Sequence, residues 1–266
     1  MQASYRIPDF QVAGDGDTTV FLLHGAYGSK EYFRYEIETL VRNGLRVVAW
    51  DAPGYGLSPL PEQGLTIEGM ADAAARLLDH QGTERNIVLG HSMGGIIAPA
   101  VFNARPNRVH GVIVSATVAS FSQKSEQDKK TFLAERIDPL KQGKSFRETA
   151  TPVLASMFAP GSAGPMVELV REVALATNSE TFCAGIAAIV HYEGLENLKK
   201  ITAPTLLLAG EYDKVGRPDG MKNIKTTFIP HADFECIPDA AHYAFAEQHE
   251  LFNKHLLSFV RQKFSH

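Results

Sequence analysis

A chain of 266 residues with 44% apolar and 21% charged positions has the length and balance of one large folded domain, or of a core with an inserted subdomain, and not the composition of a disordered chain. A net charge of -4 and the lack of any Lys/Arg-rich run leave no footprint for nucleic acid. No apolar run reaches bilayer length, MQASYRIPDF lacks the basic-then-apolar pattern of a secretory leader, and Cys183 and Cys236 make no disulfide framework. The expected setting is therefore cytoplasmic, with no membrane and no nucleic-acid partner.

In chain order, the first expected strand covers residues 19–23 and runs into His24-Gly25-Ala26-Tyr27-Gly28, a glycine-rich turn whose N–H groups can face a cavity. The spacing of a phosphate-binding loop is absent, because Lys30 does not follow a glycine in the required register. A helix over 31–42 leads to a strand over 46–50, which ends at Asp51-Ala52-Pro53-Gly54; this is turn chemistry, so Asp51 reads as structural. A helix over 66–81, a strand over 86–89, a helix over 93–104 and a strand over 109–115 follow. From 118 to 200 the rhythm breaks, with helical patterns at 125–137, 145–158, 165–176 and 179–192 and no strand. Strands over 205–209 and 234–237 and a helix over 247–262 close the chain. The alternation implies an α/β fold: a doubly wound, mostly parallel sheet formed by 1–117 and 201–266, with 118–200 inserted as a helical lid. In such sheets functional groups collect at the carboxyl ends of the strands.

Gly90-His91-Ser92-Met93-Gly94 lies between a strand and a helix and fits G-x-S-x-G. A serine that only caps a helix needs neither flanking glycine, whereas a serine raised on a sharp turn needs both for strand and helix to pass closely. Such a hydroxyl requires a base, and the base requires a third group to orient it. The strand over 205–209 runs into Gly210-Glu211-Tyr212-Asp213, which offers two carboxylates that strand alternation does not separate. The last strand leads to Asp239-Ala240-Ala241-His242, with the histidine ahead of a closing helix. His24 and His91 flank glycine turns and read as packing residues. The spacings of a zinc site do not occur, so no metal is expected.

HGAYGS, DAPGYGLS, GHSMGG, GEYDKVGRP and IPDAAHYAFAEQ together resemble the α/β-hydrolase superfamily over nearly the whole chain. The resemblance implies Ser92 as nucleophile, Asp213 as acid and His242 as base, with the N–H groups of Ala26 and Met93 as the oxyanion hole. It implies a serine hydrolase of small-molecule esters or lactones without metal or organic cofactor, similar in style to 3-oxoadipate enol-lactonases, carboxylesterases and cofactor-free haloperoxidases. Serine at 92 departs from the aspartate of dehalogenases and epoxide hydrolases. His91 and Tyr243 depart from the Asn and Trp usual in C–C hydrolases. The short segment before His24 implies trimmed opening strands. C–C cleavage, perhydrolysis and a slow-turnover ligand receptor stay open as alternatives, and no oligomeric state is specified.

The lid is rich in apolar residues at helical spacing, among them Phe132, Met157, Phe158, Ile186, Ile189 and Tyr192. Tyr27, Phe158, Tyr192 and Tyr243 are expected at the substrate. The lid's charges concentrate at 124–130 and 141–144, which read as solvated faces. The expected preference is for uncharged, small to medium acyl groups. Were a charged lactone preferred, His191 or Arg136 would be the partner of its carboxylate.

Overall fold

Six strands rich in Val, Ile and Leu run parallel through the centre of the molecule, in a computed structural model that describes residues 6–122 and 124–264. They are β2 (Thr18–Leu23), β3 (Arg46–Trp50), β4 (Arg85–His91), β5 (Gly111–Ser115), β6 (Thr205–Gly210) and β7 (Asp233–Ile237), and β1 (Phe10–Ala13) precedes them. The sheet order is β1-β3-β2-β4-β5-β6-β7, and every pairing is parallel except β1 with β3. β2, β5 and β6 are buried at every residue, as strands covered on both faces must be.

The opening of the sheet is trimmed to one strand rather than to none. β1 is four residues long and half-exposed, and it is held at the edge by pairing Phe10 with Trp50. Its own pattern carries no strand signal because its register comes from β3.

Helices α1 (Arg34–Arg42) and α11 (His249–Phe264) contact each other, and α2 (Ile67–Gln81) packs against α3 (Met93–Ala104). Thr66 starts α2 by accepting a hydrogen bond from the Gly69 N–H at 3.0 Å. α3 is apolar almost all round and buried over most of its length, which suits a helix at the centre of a two-layered covering.

Between β5 and β6 the described chain is helical: α4 (Glu126–Lys141), α5 (Phe146–Ser156), α6 (Pro165–Leu175), α7 (Ser179–His191) and the short α8 (Leu195–Lys199). Ser125 and Ser145 cap α4 and α5, the latter in a reciprocal capping box with Glu148, and Asn178 caps α7. Besides α8, two helices outside the insert were not expected from sequence, α9 (Pro218–Thr227) and α10 (Ala244–Glu247). Arg217-Pro218-Asp219-Gly220 reads locally as a turn, yet Pro218 occupies the first helical position, where its missing N–H has no intrahelical acceptor to lose. Among the described residues no single helix is long and apolar enough to cross a bilayer.

Candidate active site

Ser92 follows β4 with φ 54° and ψ -113°, in a region that non-glycine residues seldom occupy. Its neighbours explain how that backbone is held. A Cβ on Gly90 would run into the carbonyl oxygen of Gly94, and one on Gly94 would run into that of Leu23. The Ser92 N–H donates to the Ser115 carbonyl at 2.9 Å, and Thr117 Oγ1 donates to the Ser92 carbonyl at 2.7 Å. The Ser92 side chain makes no cap hydrogen bond, so its hydroxyl is not engaged in starting α3.

The turn after β2 lies against this elbow: a Cβ on Gly25 would stand 3.0 Å from that of Ser92. Tyr32 Oη accepts the Gly25 N–H at 2.6 Å, and burial pushes its phenol far up, which keeps it neutral. The Ala26 N–H makes no turn hydrogen bond among the described residues, and Met93 stands at the first position of α3, where no intrahelical acceptor exists. Both residues line the cavity above Ser92.

His242 sits in the loop after β7. Its Nδ1 lies 2.9 Å from Asp213 Oδ2, and both residues are buried. Asp213 Oδ1 accepts the Val215 N–H at 2.7 Å, so both carboxylate oxygens are engaged. With the proton on Nδ1 facing a carboxylate, Nε2 is left as the basic nitrogen. Glu211 points elsewhere, its Oε2 accepting the Asp239 N–H at 3.2 Å. Of the two carboxylates that leave β6, only Asp213 meets the imidazole.

Two residues that the sequence reading passed over fasten this geometry. Tyr32, just described, holds the glycine turn. Glu247, the last residue of α10, accepts the N–H groups of Ala241 (3.0 Å) and Tyr243 (3.2 Å) on one oxygen, on either side of His242. Its other oxygen accepts the Ala159 N–H at 2.7 Å and the Ser162 hydroxyl at 2.6 Å, both in the helical insert. The His242 N–H itself donates to the Met157 carbonyl at 2.9 Å. The one local signal for Glu247 was its place at the end of the histidine motif.

The two other buried histidines are neutral. His24 Nδ1 lies 2.8 Å from the Gly25 carbonyl and its Nε2 accepts the Ala52 N–H at 2.9 Å, while burial lowers its pKa to about 4. His91 is held well below its ordinary value, first by burial and then by the neighbouring His242, whose ring centroid is 4.9 Å away. Asp51 keeps the structural place read from its turn, accepting the Lys30 and Leu57 N–H groups and pairing with the Lys30 ammonium.

Core residues Ala26, Tyr27, Met93 and Tyr243 and insert residues Phe132, Met157, Ile186 and Ile189 wall one cavity with Ser92 and His242. Two expected wall residues lie elsewhere. Phe158 stands behind the wall, its ring stacked on Tyr243 at 5.0 Å with the Arg171 guanidinium 4.2 Å over it. α5 ends at Ser156, and Met157 takes the inward place. Tyr192 would continue the Ile186–Ile189 face if α7 went on, but its backbone is extended (φ -79°, ψ 130°), and its hydroxyl accepts from Asn197 Nδ2 beside a separate cavity with Glu68 and His191. Arg136 on α4, one of the two side chains considered for a substrate carboxylate, lines the cavity. No group of three or more His, Cys, Asp or Glu side chains that could hold a metal ion occurs among the described residues.

Comparison with known proteins agrees with this architecture. A thermophilic esterase from Thermogutta terrifontis superposes with a TM-score of 0.84 at 27% identity, covering 96% of this chain and 93% of that one. The bifunctional esterase/perhydrolase DCH of Acinetobacter calcoaceticus is 27% identical over 256 residues, 91% of each chain. The AB hydrolase superfamily protein YisY of Bacillus subtilis is 27% identical over 252 residues, 92% of each. The profile of the alpha/beta hydrolase fold family matches residues 18–248, and with a parallel sheet that presents Ser92, Asp213 and His242 at its strand ends, the chain belongs to that family of hydrolases.

Proposed function

We propose that the chain hydrolyses carboxylic esters or lactones through an acyl-enzyme on Ser92. The observation that carries this reading is the 2.9 Å contact of Asp213 with His242, facing the same cavity as a strained serine whose hydroxyl caps nothing. His242 Nε2 takes the Ser92 proton as Oγ attacks the substrate carbonyl, and Asp213 stabilises the imidazolium that results. The N–H groups of Ala26 and Met93 receive the oxyanion at the positive end of α3. The imidazolium then gives its proton to the departing alkoxide. Water, deprotonated by the same nitrogen, attacks the acyl-enzyme and releases the acid. Residues 118–200 serve as a cap that excludes solvent, and Tyr27 and Tyr243 shape the wall near the reacting carbonyl.

The test pairs labelling with turnover. A fluorophosphonate should add to Ser92 in the wild type and to no residue in Ser92→Ala. Across nitrophenyl esters and a lactone panel, that variant should lose about 10⁴–10⁶ in kcat, by comparison with triad knockouts. Labelling at another residue, or a tenth of the activity surviving, overturns the reading.

A further inference from the structure

Arg136 is the one Lys, Arg, Asp or Glu side chain among the described residues that lines the cavity of Ser92 and His242. Its side chain is 18% exposed. The guanidinium lies 3.6 Å over the Phe132 ring, and Nη1 donates to the Phe132 carbonyl at 3.1 Å, so the group is held against its own helix. The nearest carboxylate, on Glu135, is 3.5 Å from that same Nη1 and is itself 67% exposed. Nε and Nη2 donate to no group among the described residues.

Other arginines of this chain are differently placed. Arg105 and Arg217 each face an aspartate with two nitrogens at about 3 Å. A guanidinium carries five donors in a planar fork that matches a carboxylate, and it stays charged at any physiological pH. Arg136 directs such a fork, mostly unengaged, towards a cavity walled by Phe121, Phe132, Ile186 and Ile189. A desolvated cation is matched by an anion, and no protein anion lines these walls among the described residues.

Resting on the hydrolase reading above, we infer that the cavity takes monoanionic acyl substrates: esters or lactones whose acyl chain carries a carboxylate, gripped by Arg136 while the scissile carbonyl lies at Ser92. This replaces the preference for uncharged acyl groups expected from the composition of the insert. The structure also separates the two partners considered for such a carboxylate. His191 lies off this cavity, with Nδ1 3.0 Å from the Ala187 carbonyl, and lines a separate one with Glu68 and Tyr192.

Monomethyl esters of glutaric, adipic and pimelic acid test the inference against neutral methyl esters of matched chain length, followed by acid release. Wild type should favour the best half-ester by about tenfold or more in kcat/KM, and in Arg136→Gln the ratio of half-ester to neutral ester should fall about 10–100-fold, the usual range for a charge-assisted contact. Arg136→Lys keeps the charge without the fork and should retain part of the ratio. A wild type that favours the neutral esters overturns the proposal, as does a ratio that survives Arg136→Gln, including through a parallel loss of both activities. If neither ester class turns over, the hydrolase reading is what fails, and calorimetry with monomethyl adipate on Ser92→Ala decides the carboxylate site separately. Binding that disappears in the Ser92→Ala/Arg136→Gln double variant upholds it, and no binding to Ser92→Ala overturns it.

Discussion

Asp213 and Glu211 leave β6 two residues apart, and only Asp213 touches an imidazole. Asp213→Asn puts an amide where Nδ1–H needs an acceptor and turns the ring to the wrong tautomer, so kcat should fall by about 10³–10⁴. Glu211→Gln removes one exposed acceptor of the Asp239 N–H and should cost less than about threefold, since surface changes of this kind are small. Steady-state rates of the two variants on one ester check both; the reverse order would mean that the wrong carboxylate has been assigned. His24 supports a prediction of another kind. Both its nitrogens are committed to backbone groups in the neutral form, and protonation would turn the acceptor of the Ala52 N–H into a donor. Its folded pKa, about 4, lies below the ordinary 6.5 of an unfolded chain, so its contribution is complete above about 6.5 and is lost as pH falls towards 4. Between about pH 7 and pH 4.5 the loss should be on the order of 2–3 kcal/mol. Urea midpoints at the two pH values, in wild type and His24→Gln, should show a smaller acid loss in the variant; equal losses would remove His24 from the account.

At the scale of elements, the histidine loop has little regular structure of its own and is held from outside. Glu247 at the end of α10 gathers four donors, two from that loop and two from the helical insert. An amide at this position turns one of its two ends into a donor facing donors. Glu247→Gln should lower kcat by about 10–10²-fold with a smaller change in KM, because displacement of a reacting group by an ångström carries losses of that size. Some fall in melting temperature should accompany it, about 2–4 °C for each kcal/mol at this chain length. A drop in melting temperature with kcat within twofold of wild type would give Glu247 a purely structural place. The pairing of Glu247 with the insert does not announce itself in sequence, since Ala159 lies 88 positions away and no periodic pattern spans such a distance.

For the whole molecule, the doubly wound sheet was legible because each buried strand has to be apolar on both faces and each crossover helix amphipathic, and those two rhythms survive in the residue order. Ser92 and His242 were legible for a related reason: an elbow flanked by Gly90 and Gly94 is required by sterics and so is written locally. What stayed hidden depends on contacts between distant segments. β1 takes its register from β3, Tyr192 turns away because α7 stops one residue before it, and only the cavity itself separates Arg136 from His191. Strand alternation alone did not separate Glu211 from Asp213; the resemblance favoured Asp213, and in the structure Glu211 turns to the Asp239 N–H instead.

The Met157 carbonyl and the Glu247 carboxylate fasten the insert to the loop that carries His242. On the hydrolase reading proposed above, enclosure of a substrate and alignment of the base would therefore be coupled. An insert displaced to admit or release a molecule would take with it the Met157 carbonyl that receives the His242 N–H, and the loop carrying the imidazole would lose that support while bulk water has access. On that reading, solvent viscosity and the stiffness of the Ala159-Pro160-Gly161 stretch, which carries one of the Glu247 contacts, should enter the rate of an otherwise chemical step.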